Sequence, residues 1–138
     1  MPNALVLTIE KYENSCSESN SGTLVLKEGA ITRIDLNHDN TDDWILDAAF
    51  LYCTRDYGFS NPRAFSAGTA GSPLDIFIGE THTVLMARNW EVTTMGPNDA
   101  AVLLLTQSGI VCGGDGALWC VEALVWDRDA MRSVRPNQ

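Results

Sequence analysis

An all-β domain is predicted, an antiparallel β-sandwich or open barrel of about eight to ten short strands. Three observations carry that expectation. Short runs rich in Val, Ile, Leu and aromatic residues recur along the chain, and Gly, Pro, Asn and Asp punctuate them at close spacing. Residues 74–78 alternate at period two, with Leu74, Ile76 and Ile78 on one face. The 138 residues, 45% of them hydrophobic, suit a single domain spanning 1–138 with a proper core. No internal repeat is visible, and the length excludes a propeller of several blades.

Taken in order, residues 4–9 are dense in β-formers and predict a first strand. Residues 11–22, rich in Ser, Asn and Glu, predict a polar loop. Residues 24–26 and 31–34 form a hairpin turned at Glu28-Gly29, and residues 44–52 run back as the next strand. Residues 54–73 contain Gly58, Pro62, Gly68, Gly71 and Pro73 and make the longest irregular segment, of a kind that carries function or moves. Tyr57, Phe59, Arg63 and Phe65 within it are candidate binding residues, although loop aromatics more often tuck onto the core. Residues 79–82 read as a turn, from which 83–87 returns as a strand. Strands at 90–92, 101–105, 118–126 and 130–134 follow, with turns at 96–98 and 127–129. A short helix capped by Asn98 or Asp99 is the alternative at 101–105.

The most informative stretch is residues 35–43. Oxygen-bearing side chains fall at every second position, Asp35, Asn37, Asp39, Thr41 and Asp43, and three of these are carboxylates. Three negative charges in one short loop repel one another, and a hard divalent cation with many oxygen ligands relieves that repulsion. Ca2+ is therefore the expected cofactor. Asp35, Asn37, Asp39 and Asp43 would ligate through side chains and Thr41 through its carbonyl. Asn40 sits where such loops bend sharply, and Asn tolerates left-handed backbone. The bland reading is a solvated acidic turn held by Asp and Asn side chains. The loop is not an EF-hand, because its twelfth position is Leu46 instead of a bidentate Glu and its flanks are β-like.

The segment "IDLNHDNTDDWILD" resembles the Asp-x-Asn-x-Asp-Gly-x-x-Asp calcium loops of FG-GAP repeats and dockerins, and its β flanks favour the FG-GAP-like context. The wider order is similar to small bacterial exported proteins: this loop, a Cys-bearing turn, "AGTAGSPLDIFIG", a Trp, then "GIVCGGDGALWC". Ala67 and Ser72 stand where that resemblance implies cysteines. It implies no settled activity.

Cys16, Cys53, Cys112 and Cys120 allow two disulfides in three connectivities. Cys16–Cys53 and Cys112–Cys120 are favoured, while a zinc site lacks any CxxC pair and buried free thiols are the alternative. Disulfides and calcium point to an extracytoplasmic setting, periplasmic, secreted or on a virion surface. The start Met1-Pro2-Asn3 has no charged and apolar signal region, which a virion protein released by lysis would reconcile. With 18 acidic against 9 basic residues, the net charge of −9 argues against nucleic acid and anionic membranes as partners.

Catalytic chemistry finds little purchase. His38 lies in the acidic loop facing outward, and His82 sits in the 79–82 turn with no nucleophile beside it. The four tryptophans more often serve a core than a glycan platform. The expected function is non-enzymatic: a calcium-stabilised β domain acting as a protein- or glycan-recognition or structural module. A virion or capsid-surface decoration protein, and so a homo-oligomer or an assembly on a larger particle, is the alternative. A small calcium-dependent hydrolase ranks third.

Overall fold

The computed structural model describes residues 1–20, 22–54, 63–64, 71–109, 113–114 and 118–134. The chain opens with helix α1 (Asn3–Asn20) and continues through β1 (Leu24–Leu26), β2 (Ile31–Ile34), β3 (Asp43–Asp47), a 3₁₀ turn (Ala48–Phe50), β4 (Leu51–Cys53) and β5 (Arg63–Ala64). Then come β6 (Ser72–Ile78), β7 (Thr81–Ala87), β8 (Asn89–Met95), β9 (Ala100–Ser108), β10 (Trp119–Asp127) and β11 (Ala130–Ser133). The strands form a central sheet in the order β2-β3-β6-β7, an outer sheet β11-β10-β9-β8 and a small sheet β1-β4-β5. Every described pairing is antiparallel, and among the described residues no sheet closes into a barrel. The fold is the predicted all-β sandwich with one helix added.

That helix corrects the expectation of a strand at 4–9 and a loop at 11–22. Leu5, Ile9, Tyr12 and Cys16 recur at helical spacing, and Leu5, Ile9 and Cys16 are buried. The Ser, Asn and Glu residues between them are the solvent face of the same helix. Pro2 precedes the first turn, where its missing N–H costs nothing, and its carbonyl accepts from the Leu5 and Val6 N–H groups.

The central sheet is covered on both faces, which is why β6 is buried at nearly every position. On one side Ile45, Leu74, Ile76 and Ile78 pack against Leu103, Leu105 and Leu124 of the outer sheet. On the other, Leu46 and Phe77 pack against Leu5 and Ile9 of α1. Alternation along β6 therefore separates two cores and places Asp75 on the helix side, level with Phe77. Asp47 links the layers at the edge. Its Oδ1 accepts from the Ala49 N–H (3.0 Å) and its Oδ2 from the Trp90 indole N–H (2.8 Å) on the outer sheet.

The expected single strand over 44–52 is broken. The Asp47 cap holds the 3₁₀ turn, so β3 joins the central sheet and β4 the small one. The expected hairpin of 24–26 with 31–34 is also absent, because β1 pairs with β4 and β2 with β3. Leu26 faces Leu51 and Ile31 faces Leu46, so one register runs across both pairs. Residues 24–34 and 43–53 thus form one long kinked hairpin whose tip is the acidic loop. Residues 101–105 are strand, as preferred over the short helix, within the longer β9.

Candidate functional site

The tip of the kinked hairpin is folded by its own oxygens. Both Asp35 carboxylate oxygens accept backbone N–H groups, Oδ1 from Asp39 (3.2 Å) and Oδ2 from Asn40 (2.8 Å). Asp39 Oδ1 accepts from the Thr41 N–H (2.9 Å), and Asn37 Nδ2 donates to Asp39 Oδ2 (3.1 Å). Asp43, only 2% exposed, accepts the Leu36 N–H at 2.7 Å, while the Leu36 side chain is buried in the sandwich core. Asn40 has φ +63°, the left-handed bend expected of it, and His38 has φ +64°. His38 Nε2 lies 3.1 Å from the Asp99 carbonyl, so the tip is docked on the β8–β9 turn of the other sheet.

Burial pushes the Asp43 carboxyl upward, the backbone N–H groups of Leu36 and Asn37 oppose that shift, and the charges of Asp39 and Asp35 add to it. The charges of Asp39 and Asp35 therefore reach the Asp43 carboxyl. The oxygens of all three accept from backbone N–H groups and, at Asp39, from the Asn37 side-chain amide, and among the described residues no three Asp, Glu, His or Cys side chains converge as a metal-binding group. The donor set matches a hard cation in chemistry. Ligation would require the side chains to rotate inward from these hydrogen bonds, which leave spare lone pairs on each carboxylate oxygen.

Other expected sites meet different outcomes. Cys16 and Cys53 are disulfide-bonded with Cα atoms 5.5 Å apart, as favoured, tying α1 to β4. Cys120 is also disulfide-bonded, whereas Cys112 lies outside the described residues. Tyr57, Phe59 and Phe65 lie outside them too. For Arg63 only its place in β5 opposite Cys53 is described. Trp90 and Trp126 pack on the sandwich core and Trp44 on the helix-side core. Trp119 is 58% exposed, with the Arg88 guanidinium 4.3 Å above its ring.

His82 does not lie in the expected turn but stands in β7. The turn is only Gly79-Glu80, with Gly79 at φ +56° as a tight two-residue hairpin requires. That register sets His82 opposite Phe77 and diagonal to Asp75 on the helix-side face. His82 Nε2 lies 2.6 Å from Asp75 Oδ1, and its ring stacks on Phe77 at 4.3 Å and 17°. Asp75 is 3% exposed and also faces Tyr12. Its Oδ2 is buried with no hydrogen-bond partner among the described residues. Alternation in 74–78 already marks Asp75 as sharing a face with Phe77. A two-residue turn adds His82 to that face.

Burial, then the Asp75 charge and a side-chain hydrogen bond to it, push the Tyr12 phenol up to about 12. The folded chain keeps this proton where the unfolded chain loses it. Tyr12 thus contributes stability that is whole below the ordinary value of 10.0 and is lost as pH rises toward 12. Phenolate absorbance should show one of the three tyrosines titrating last, and Tyr12→Phe should remove that step. A late step surviving in Tyr12→Phe contradicts the assignment.

No family model, no curated protein and no solved structure matches the chain.

Proposed function

We propose that the chain is a calcium-stabilised β module that acts by binding, presenting its surface to a protein or glycan partner in an extracytoplasmic setting. The observation that supports it is the hairpin tip. The charges of Asp35 and Asp39 act on a buried Asp43 at the point where the central sheet meets the turn of the outer one. A bound Ca2+ would offset the mutual repulsion of the three carboxylates and hold the two sheets in register at that edge. Asp35, Asn37, Asp39 and Asp43 would supply side-chain oxygens and Thr41 its carbonyl. The Cys16–Cys53 disulfide favours an oxidising compartment. No described helix is long and apolar enough to cross a membrane.

Thermal unfolding with calcium and with EGTA tests the reading. At free calcium about 100 times its dissociation constant, stabilisation is about 2.7 kcal/mol, a rise in Tm of roughly 10 °C for a domain this size. Asp39→Ala should abolish the response. Asp42→Ala should keep it, since Asp42 is exposed and only 4.0 Å from Arg33 outside the ligand set. Superimposable melts of the unaltered chain in calcium and EGTA would refute the site.

A second reading, a subunit of a larger particle, draws on exposed apolar side chains of the outer sheet. Met95 is 52%, Trp119 58% and Val121 68% exposed. Light scattering that finds only monomer at high concentration would count against it.

A further inference from the structure

We propose that the pocket between α1 and β7 is a saccharide site, binding the ring of a neutral, polyhydroxylated sugar. This rests on the recognition reading and names the ligand class that one surface of the module would take. The pocket has a volume of about 360 Å³ and is lined from α1 by Leu7, Thr8, Glu10, Lys11 and Asn14 and from β7 by His82. That volume lies in the range of small-ligand sites and admits a mono- or disaccharide.

Three features of the wall select the ligand. Its formal charges cancel, one Glu against one Lys, so neither an anion nor a cation is preferred locally. The chain's net charge of −9 further disfavours anions. Its polar groups are both donors and acceptors: the Lys11 ammonium donates, the Glu10 carboxylate accepts, and the Asn14 amide does both. Thr8 Oγ1 donates to the Ala4 carbonyl at 2.8 Å and so offers the pocket acceptor lone pairs. This mixture suits hydroxyl groups, each of which gives one hydrogen bond and takes others. Leu7, half exposed, supplies the apolar surface against which the C–H face of a sugar ring packs.

His82 makes the site more than a crevice. With Nε2 donating to Asp75 and the ring stacked on Phe77, the imidazole is held before any ligand arrives. Its neutral form then has Nδ1 as a fixed acceptor for a sugar hydroxyl. A pre-oriented partner spends less entropy on binding.

The test is an amide and imidazole NMR titration of the full chain with glucose, galactose, mannose and N-acetylglucosamine, in calcium and in EGTA. At least one sugar should give saturable shifts at residues 7–14 and at the His82 ring, with a dissociation constant on the order of millimolar. Those shifts should persist in EGTA, which separates this site from the calcium loop. Lys11→Met and Asn14→Ala alter exposed helix positions and leave the fold intact. Each should weaken binding by roughly tenfold through a lost hydrogen bond. The proposal is overturned if no sugar gives saturable shifts, if both variants bind as the unaltered chain does, or if glycine or alanine saturates the pocket in place of the sugars.

Discussion

Replacing Cys16 and Cys53 together with alanine should lower the unfolding free energy by about 4 kcal/mol, the loop-closure value for a separation of 37 residues. The bond joins α1 to β4, and Cys16 is fully buried. Without it, α1 still has Leu5, Ile9 and Tyr12 to hold it against the sheets. An isolated helix of 18 residues is marginal in water, so α1 should be the first element to lose amide protection. Urea unfolding gives the free energy and hydrogen exchange gives the location. The double variant is preferable to reduction, because reductant also reaches the disulfide at Cys120. An unchanged urea midpoint would mean that packing alone secures the helix.

Phe77→Ala should cost about 3–5 kcal/mol, the range for emptying a packed aromatic site. Phe77 is 2% exposed, fills the space between β6 and α1 beside Leu5, Ile9 and Leu46, and supports the His82 ring. The variant loses buried area and leaves a cavity that strands paired on both sides cannot close. Val84→Ala is the control, since Val84 is 54% exposed in the neighbouring strand, and it should stay within about 0.5 kcal/mol of the unaltered chain. Equal losses in the two variants would show that the helix-side cluster is not a working core.

The strands are legible where one physical signal dominates. Leu74, Ile76 and Ile78 alternate because a second sheet lies over them, and β-formers mark β7, β9 and β10. The Cys16–Cys53 pairing is legible too, though Cys16 sits on a helix. That helix is hidden because the run Leu5-Val6-Leu7-Thr8-Ile9 is rich in β-formers and too short to settle its period. Only the continuation through Tyr12 and Cys16 separates helix from strand. At the acidic loop the bend at Asn40 is legible, since few residues accept its φ. The docking of His38 on Asp99 is not, because it depends on how two sheets stack. The Asp75–His82 pair is hidden by a register that one misjudged turn length shifts.

The unbroken register across the hairpin kink also bears on the order of assembly. Residues 24–34 and 43–53 meet across a short stretch of chain, so closing them forfeits little loop entropy. Helix α1 meets Phe77 from the far side of that hairpin and of the segment after it. The hairpin is therefore the cheaper nucleus, and helix docking belongs after the barrier. In stopped-flow chevrons of the Cys16→Ala/Cys53→Ala variant, where no bond tethers α1 to β4, Ile45→Val should slow refolding and Ile9→Val should chiefly hasten unfolding. The reverse pattern would place the helix at the start of the pathway.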